Sequence, residues 1–304
     1  MERPYISNIQ RFSLDDGPGI RSTVFFKGCN LRCAWCHNPE CIVSGPSLQL
    51  AAASCVACGR CVEACPQGVH TITPDGAHLV DRSLCKACGK CVYQCRRTGL
   101  QLIGKQYEPE ELLKQILKDR KYYESSGGGV TFSGGEPMLQ PEYLAEMLRL
   151  CRKAGLHTAV DTAGCVPYRH FEQVLPWADL FLYDIKLWSS DRHRAATGVP
   201  NELILENLRR LTDDGADVFI RTPVIPTYND DPEELGQIAR FLADLPGREH
   251  VKLIQLLPYH NYGVGKYEAL GSNSKTAGIE PPAETFMQEV LRLYLDLELP
   301  AQIS

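Results

Sequence analysis

The sequence predicts an α/β protein whose parallel sheet is covered by helices and interrupted by a small cysteine-rich insert. Short β-rich runs alternate with helical patterns along most of the 304 residues, and a stretch from about residue 50 to residue 102 breaks that alternation. Polar and cysteine side chains also gather where the β-rich runs end.

The runs that read as strands are Thr23–Gly28, Val130–Phe132, Thr158–Asp161, Leu180–Asp184, Val218–Arg221 and Lys252–Leu256. Between them Pro109–Glu124, Pro141–Ala154, Glu202–Asp214 and Pro232–Leu245 carry apolar residues at helical spacing. Three of these open with proline, whose fixed φ suits a first helical turn. The repeated unit is βα, which implies a sheet either open and doubly wound or closed into a barrel; periodicity does not choose between them. After the strands come Cys29, Ser133-Gly134-Gly135-Glu136, Asp161-Thr162-Ala163-Gly164, Asp184-Ile185-Lys186, Arg221-Thr222-Pro223 and Pro258-Tyr259-His260. Sheets and barrels of this class place their active sites at such ends.

A chain with 44% hydrophobic content can bury one large domain plus an insert. Its net charge of -5 lacks the basic footprint a nucleic-acid binder needs. No leader pattern follows Met1, and no apolar run reaches about 18 residues, so a soluble cytoplasmic protein is expected. Of the fourteen cysteines, twelve lie between Cys29 and Cys95 in tight Cys-x-x-Cys spacings, which in a leaderless chain point to metal or cluster ligation rather than disulfides. Cys41, Cys151 and Cys165 have no ligand spacing and read as small packing residues.

Cys29-x3-Cys33-x2-Cys36 places three thiols within eight residues after the first strand. Three ligands suit a [4Fe–4S] cluster with one iron open to an exogenous ligand; the alternative is a zinc site completed by Cys41 or His37. Within the insert, Cys55-x2-Cys58-x2-Cys61-x3-Cys65 is repeated 30 residues later as Cys85-x2-Cys88-x2-Cys91-x3-Cys95. This is bacterial ferredoxin spacing, in which each fourth cysteine serves the other cluster. One [4Fe–4S] cluster is then held by Cys55, Cys58, Cys61 and Cys95, and the other by Cys85, Cys88, Cys91 and Cys65. Arg96 stands where a proline is expected, which touches loop geometry and removes no ligand. Zinc, the competing metal, tends to use separated Cys-x2-Cys pairs instead.

Asp16-Gly17-Pro18-Gly19-Ile20-Arg21, Phe26-Lys27-Gly28 and the cysteine motif followed by His37-Asn38-Pro39-Glu40 resemble the signature of glycyl-radical-enzyme activating enzymes of the radical S-adenosylmethionine (SAM) superfamily. The resemblance implies a partial (β/α)6 TIM-type barrel at residues 1–49 and 103–304, with the ferredoxin-like insert at 50–102. It implies that Cys29, Cys33 and Cys36 hold a SAM-binding cluster, for three [4Fe–4S] clusters in all. SAM is cleaved to a 5′-deoxyadenosyl radical, which takes the Cα hydrogen of a glycine in a partner enzyme.

Carried over by position, Gly134, Gly135 and Glu136 serve the SAM amino group, Lys186 with Asp184 its carboxylate, and His260 a further contact. Asp161 and Thr162 lie beside SAM and help to bind a monovalent cation. Asn38 and Arg221 fall near the cofactor, with a turn cap and a structural ion pair as their plain alternatives. Asp16 touches the partner's glycine loop, or forms an Asx turn with its own backbone. The insert either relays electrons from a flavodoxin or ferredoxin or docks the partner enzyme. Lys86, Lys90, Arg96 and Arg97 give it a basic edge. A monomer is expected. Radical SAM chemistry on a small molecule, and a pure electron-transfer protein, are the other readings.

Overall fold

The computed structural model describes residues 2–304. Its strands are β1 (Tyr5–Ser13), β2 (Arg21–Phe26), β3 (Ser47–Leu50), β4 (His70–Ile72), β5 (His78–Val80), β6 (Leu100–Ile103), β7 (Lys105–Gln106), β8 (Gly129–Gly134), β9 (His157–Thr162), β10 (Leu180–Asp184), β11 (Val218–Val224), β12 (Val251–Pro258) and β13 (Ala301–Ile303). The helices are α1 (Arg60–Ala64), α2 (Lys90–Gln94), α3 (Pro109–Ile116), α4 (Arg120–Ser126), α5 (Pro141–Lys153), α6 (Arg169–Val174), α7 (Ser190–Thr197), α8 (Glu202–Asp213), α9 (Pro232–Ala243), α10 (Val264–Ala269) and α11 (Glu284–Leu295).

All six expected strands are present, as β2 and β8 to β12, and they lie side by side in chain order, every neighbouring pair parallel. That order decides between the two architectures. A doubly wound sheet reverses its strand order at a switch point; here none reverses, so right-handed crossovers put every helix on one face and the sheet curls toward a barrel. β13 extends one edge, antiparallel β1 and β7 the other, and those edges do not pair, so the barrel stays open.

Alternation along the strands separates two environments. Val24, Phe26, Val130, Phe132, Val160, Phe181, Ile220 and Ile254 face the helices in the main apolar core. The opposite, concave face carries a small apolar floor of Ala159, Leu180 and Leu182. On that face lie Thr23, Thr131, Ser133, Asp161, Asp184, Arg221 and Gln255, and Asp184, Arg221 and Gln255 stand level in adjacent strands.

The helical run expected over Pro109–Glu124 is broken into α3 and α4 by a 3-10 turn at Leu117–Asp119. Asp119 is 3% exposed and accepts hydrogen bonds from Arg11 and from Ser22 Oγ at 2.9 Å. Pulling that carboxylate toward the sheet costs helix continuity and gains a buried, paired charge.

The insert forms its own small layer. β3 pairs with β6 antiparallel, so its two ends lie together, and a short hairpin, β4–β5, joins two near-identical halves. The duplication persists in the backbone. Ala57 and Ala87 both have φ near +51°, and Gly59 and Gly89, which begin α1 and α2, sit at +77° and +75°. Among the described residues, no helix is long and apolar enough to cross a membrane.

Candidate functional site

The cysteine loop leaves β2 at Lys27 and is fastened on both sides. Gly28 N–H donates to Cys41 O at 2.7 Å and Cys29 N–H to Ile42 O at 3.1 Å, while Arg32 and Ala34 N–H donate to Thr197 and Ala196 at the end of α7. Trp35 packs with Ala34, Leu187, Ala196, Ile225 and Tyr259 in a second apolar cluster beneath the loop. Backbone hydrogen bonds and packing therefore brace the loop at both flanks.

Burial pushes the Cys29 thiol up to about 12 and those of Cys33 and Cys36 up to about 11. Lys186 opposes this at all three, and the Asn38 backbone N–H does so at Cys36. Buried thiols of this kind ionise readily only against a cation, as metal ligands do. Zinc would bring its ligand atoms within about 4 Å of one another, given bonds of about 2.0–2.3 Å. Among the described residues the only three Cys, His, Asp or Glu side chains that close to within 4.8 Å are Cys61, His70 and His78. Cys29, Cys33 and Cys36 thus stand too far apart for one ion and fit a larger group. Nor are the two candidate completing ligands free for such an ion: Cys41 Sγ lies 3.0 Å from Ser7 Oγ, and His37 Nε2 lies 3.0 Å from the His260 carbonyl.

The other strand ends converge on this loop. Lys186 Nζ donates to Asp184 Oδ2 at 2.7 Å, the i, i+2 pairing expected of an extended segment. Burial works against the Lys186 ammonium, but Asp184 and the Cys33 thiol outweigh it and hold its pKa above the ordinary value. Two residues without motif spacing position this segment. Asn229 Nδ2 donates to Lys186 O at 2.8 Å, and buried Glu234 accepts the N–H groups of Trp188 and Ser189.

Glu136 is 1% exposed. It accepts from Thr162 Oγ1 at 2.8 Å, Ala163 N at 2.9 Å and Met138 N at 3.1 Å, tying the ends of β8 and β9 together. Burial outweighs these bonds and pushes its carboxyl up to about 7. A carboxylate offers about four acceptor positions, so one remains for another donor. The two glycines before it make a close approach to the protein's own chain: a Cβ on Gly134 would meet Phe26 N at 2.4 Å, and one on Gly135 would meet Gly28 O at 2.2 Å. They set β8 against the cysteine loop.

Arg221 joins two expected site residues, at 3.4 Å from Asp161 Oδ1 and 3.6 Å from Asp16 Oδ1, and also donates to Asp15 O. Asp161 additionally accepts from Ser133 Oγ at 2.6 Å, yet burial pushes it up to about 6. Asp16 accepts from Ser13 Oγ at 2.5 Å and Thr23 Oγ1 at 2.6 Å, so side chains rather than an Asx turn hold it. Arg21, fully buried, donates to Thr131 Oγ1 and to the carbonyls of Val130 and Pro18, fixing the Gly-Pro-Gly loop from below.

Asn38 Oδ1 is taken by Lys266 Nζ at 2.7 Å, which also reaches Glu40 at 2.9 Å, so α10 clamps the end of the cysteine loop. His260 stacks on His37 with centroids 4.1 Å apart, and its buried Nδ1 has no partner. That orphaned nitrogen, beside the cysteine loop, is a polar group left for a further partner.

In the insert, one cavity is lined by Cys55, Cys58, Cys61 and Cys95, and a second by Cys65, Cys85, Cys88 and Cys91. The fold brings together the crossed sets expected from the spacing. Arg60, Arg96 and Arg97 border the first, Lys86 and Lys90 the second. Cys41 and Cys151 are buried packing residues, and Cys165 is partly exposed.

Comparison with known proteins agrees with this geometry. Residues 87–242 match the family model described as "Radical SAM superfamily", and residues 47–96 match "4Fe-4S dicluster domain". The trans-4-hydroxy-L-proline dehydratase activating enzyme of Clostridioides difficile is 41% identical over 296 residues, 96% of each chain. The choline trimethylamine-lyase activating enzyme of Oleidesulfovibrio alaskensis is 43% identical over 268 residues, 88% of this chain and 86% of that one. A solved domain of a pyruvate-formate lyase-activating enzyme from Bacteroides vulgatus aligns at 36% identity with a TM-score of 0.51, covering 59% of this chain and 99% of its own. Streptococcus suis SuiB shares the fold, with a TM-score of 0.53 over 91% of this chain and 46% of SuiB, at 13% identity. A barrel whose strand ends converge on three half-buried thiols, with relatives of one kind matched nearly end to end, leaves one assignment: the chain belongs to the radical SAM superfamily, among the activating enzymes of glycyl radical enzymes.

Proposed function

We propose that this chain takes the Cα hydrogen from one glycine of a partner glycyl radical enzyme, using Cys29, Cys33 and Cys36 to hold a [4Fe–4S] cluster with one iron left for SAM. The observation that carries the reading is the convergence on the cysteine loop of Lys186, paired to Asp184, and of His260 with its unpartnered Nδ1. When bound, the cluster would supply one electron to the sulfonium, so that the C5′–S bond breaks, methionine leaves, and the 5′-deoxyadenosyl radical takes the glycine hydrogen to give 5′-deoxyadenosine.

The chain's own residues divide the remaining work. Lys186 faces the SAM carboxylate, with Asp184 holding its ammonium in place. Glu136 offers its free acceptor position to the amino group, while Gly134 and Gly135 set its height. His260 closes the site beside His37. Asn38 contributes its backbone N–H at Cys36. Arg221 neutralises Asp161 and Asp16 together, so a monovalent cation near Asp161 and Thr162 would share that carboxylate with the guanidinium. Asp16, anchored by Ser13 and Thr23, presents its loop to the incoming glycine.

The relatives matched at 37–43% identity activate a dehydratase, a lyase and a decarboxylase among others. Such even similarity fits an enzyme that meets only the partner's glycine loop, never the partner's substrate. We read the chain as a core at 1–49 and 103–304 with an insert at 50–102 holding two further clusters. In this reading the insert relays electrons from a flavodoxin or ferredoxin, and the protein works as a cytoplasmic monomer.

The test is anaerobic turnover of the reconstituted, dithionite-reduced protein with SAM. Wild type is expected to bind about twelve irons per chain and to release 5′-deoxyadenosine. Cys33→Ala is expected to load about eight and to release none. No product from fully loaded wild type would sink the proposal.

A further inference from the structure

The hairpin joining the two cysteine octets carries two histidines that no motif spacing singles out. His70 pairs with Val80, and His78 with Ile72, across β4–β5, so both imidazoles stand on one face of the hairpin. His70 Nδ1 lies 3.0 Å from His78 Nε2. His78 Nδ1 lies 3.3 Å from Cys55 Sγ, and its Nε2 lies 3.6 Å from Cys61 Sγ. His78 lines the cavity of Cys55, Cys58, Cys61 and Cys95, whereas His70 lines that of Cys65, Cys85, Cys88 and Cys91. The pair therefore spans the partition between the two ligand sets. His70 is 3% exposed, and its Nε2 is buried without a partner.

The direction of this short chain follows from what each atom can donate. A metal-bound thiolate only accepts, and His78 stands against two of them, Cys55 at 3.3 Å from Nδ1 and Cys61 at 3.6 Å from Nε2; the shorter contact takes the hydrogen, on Nδ1. A neutral imidazole has one N–H, so His78 Nε2 is then an acceptor and takes the hydrogen of His70 Nδ1. His70 Nε2, buried without a partner, is left as a bare acceptor. One ligand set receives a hydrogen bond from this pair and the other receives none. Hydrogen bonds to cluster sulfurs raise the reduction potential, because they stabilise the more negative, reduced state.

Building on the ligand sets proposed above, we propose that the His78–His70 pair makes the two insert clusters unequal. His78 donates at Cys55 and raises the potential of the cluster held by Cys55, Cys58, Cys61 and Cys95. His70 is a positioning residue that fixes the tautomer and orientation of His78. Two halves with nearly the same backbone thereby acquire a polarity that their repeated spacing lacks.

The test is a potentiometric titration of the reconstituted full-length protein followed by electron paramagnetic resonance, with iron counted on the same samples. Wild type should show two resolvable insert potentials at about twelve irons per chain. A wild-type count near four would instead overturn the ligand sets themselves, which separates that failure from this one. His78→Leu should lower the higher of the two potentials and leave the lower one in place at unchanged iron. His78→Asn, whose amide N–H can stand near the position of Nδ1, should restore most of the shift. His70→Leu should lower the same potential by less. Unchanged potentials in His78→Leu, an equal shift of both, or loss of about four irons from that variant would each overturn the proposal. So would one zinc per chain retained beside the full iron complement.

Discussion

Both cysteine regions present thiols to metal, but they do so on opposite physical footings. The loop at Cys29–Cys36, its three thiols half-buried, is tied to α7 and to Cys41 and Ile42 by backbone hydrogen bonds and seated on its own apolar cluster. The insert has only Leu48, Cys61, Val69, Cys91 and Leu100 as a buried apolar core, and two of those five are expected ligands. Cys58 and Cys88 are exposed. A segment of about 50 residues with so little core needs a staple to fold, and in such segments metal binding energy is folding energy. The barrel braces its cysteine loop with its own chain, whereas the insert has little beyond its cysteines to hold it together.

Metal removal should widen this difference most. After anaerobic chelation of iron, hydrogen exchange is expected to become fast across residues 50–102 and to stay slow in β8 to β12. Equal loss of protection in both regions would abolish the distinction.

The next effect concerns Glu136, the strut of the preformed site. Its carboxyl lies near 7 when folded against about 4.5 when free, so between those values the folded protein binds more protons than the unfolded chain. Stability in the apoprotein should therefore fall as pH rises from about 4.5 to about 7, by about 3 kcal/mol from this group. Glu136→Gln removes the titration and loses hydrogen bonds. Its stability relative to wild type, read from urea unfolding of the metal-free protein, should improve across that window. A constant difference would mean that Glu136 is not the buried acid the geometry makes it.

The smallest effect is expected at the joint between the regions. Arg82 of the insert donates to Ala269 O at 2.7 Å and to Leu48 O at 3.3 Å, and α10 in turn holds Asn38 and Glu40 through Lys266. Arg82→Ala should cost about 1 kcal/mol and speed exchange in Val264–Ala269, with iron content unchanged. Unaltered exchange there would show that the insert and the clamp are independent.

The six parallel strands were legible because each is a compact β-rich run with a chemically marked end. β1 and β13 were not. Tyr5–Ser13 mixes polar residues on an exposed strand near the sheet edge, and Ala301–Ile303 is too short to carry a period. At the site, motif spacing indicated which residues meet. It did not show what holds them: Arg21 beneath the Gly-Pro-Gly loop, Ser133 on Asp161, Asn229 and Glu234 behind Lys186, and Lys266 on Asn38. All but Arg21, which lies within the quoted motif, act across more than twenty positions of chain, where no local pattern exists to be read. The paired glycines Gly134 and Gly135 also approach the chain's own backbone closely, at Phe26 and Gly28, which no local pattern indicates.

The pairing of β3 with β6, extended by Ala51 N–H to Gly99 O at 2.8 Å, brings the entry and exit of the insert side by side. Seen from the barrel, some fifty residues occupy the place of a hairpin turn. A gene segment bounded at that stem can be gained, lost or exchanged without moving a core strand, so the insert and the barrel can evolve as separate cassettes.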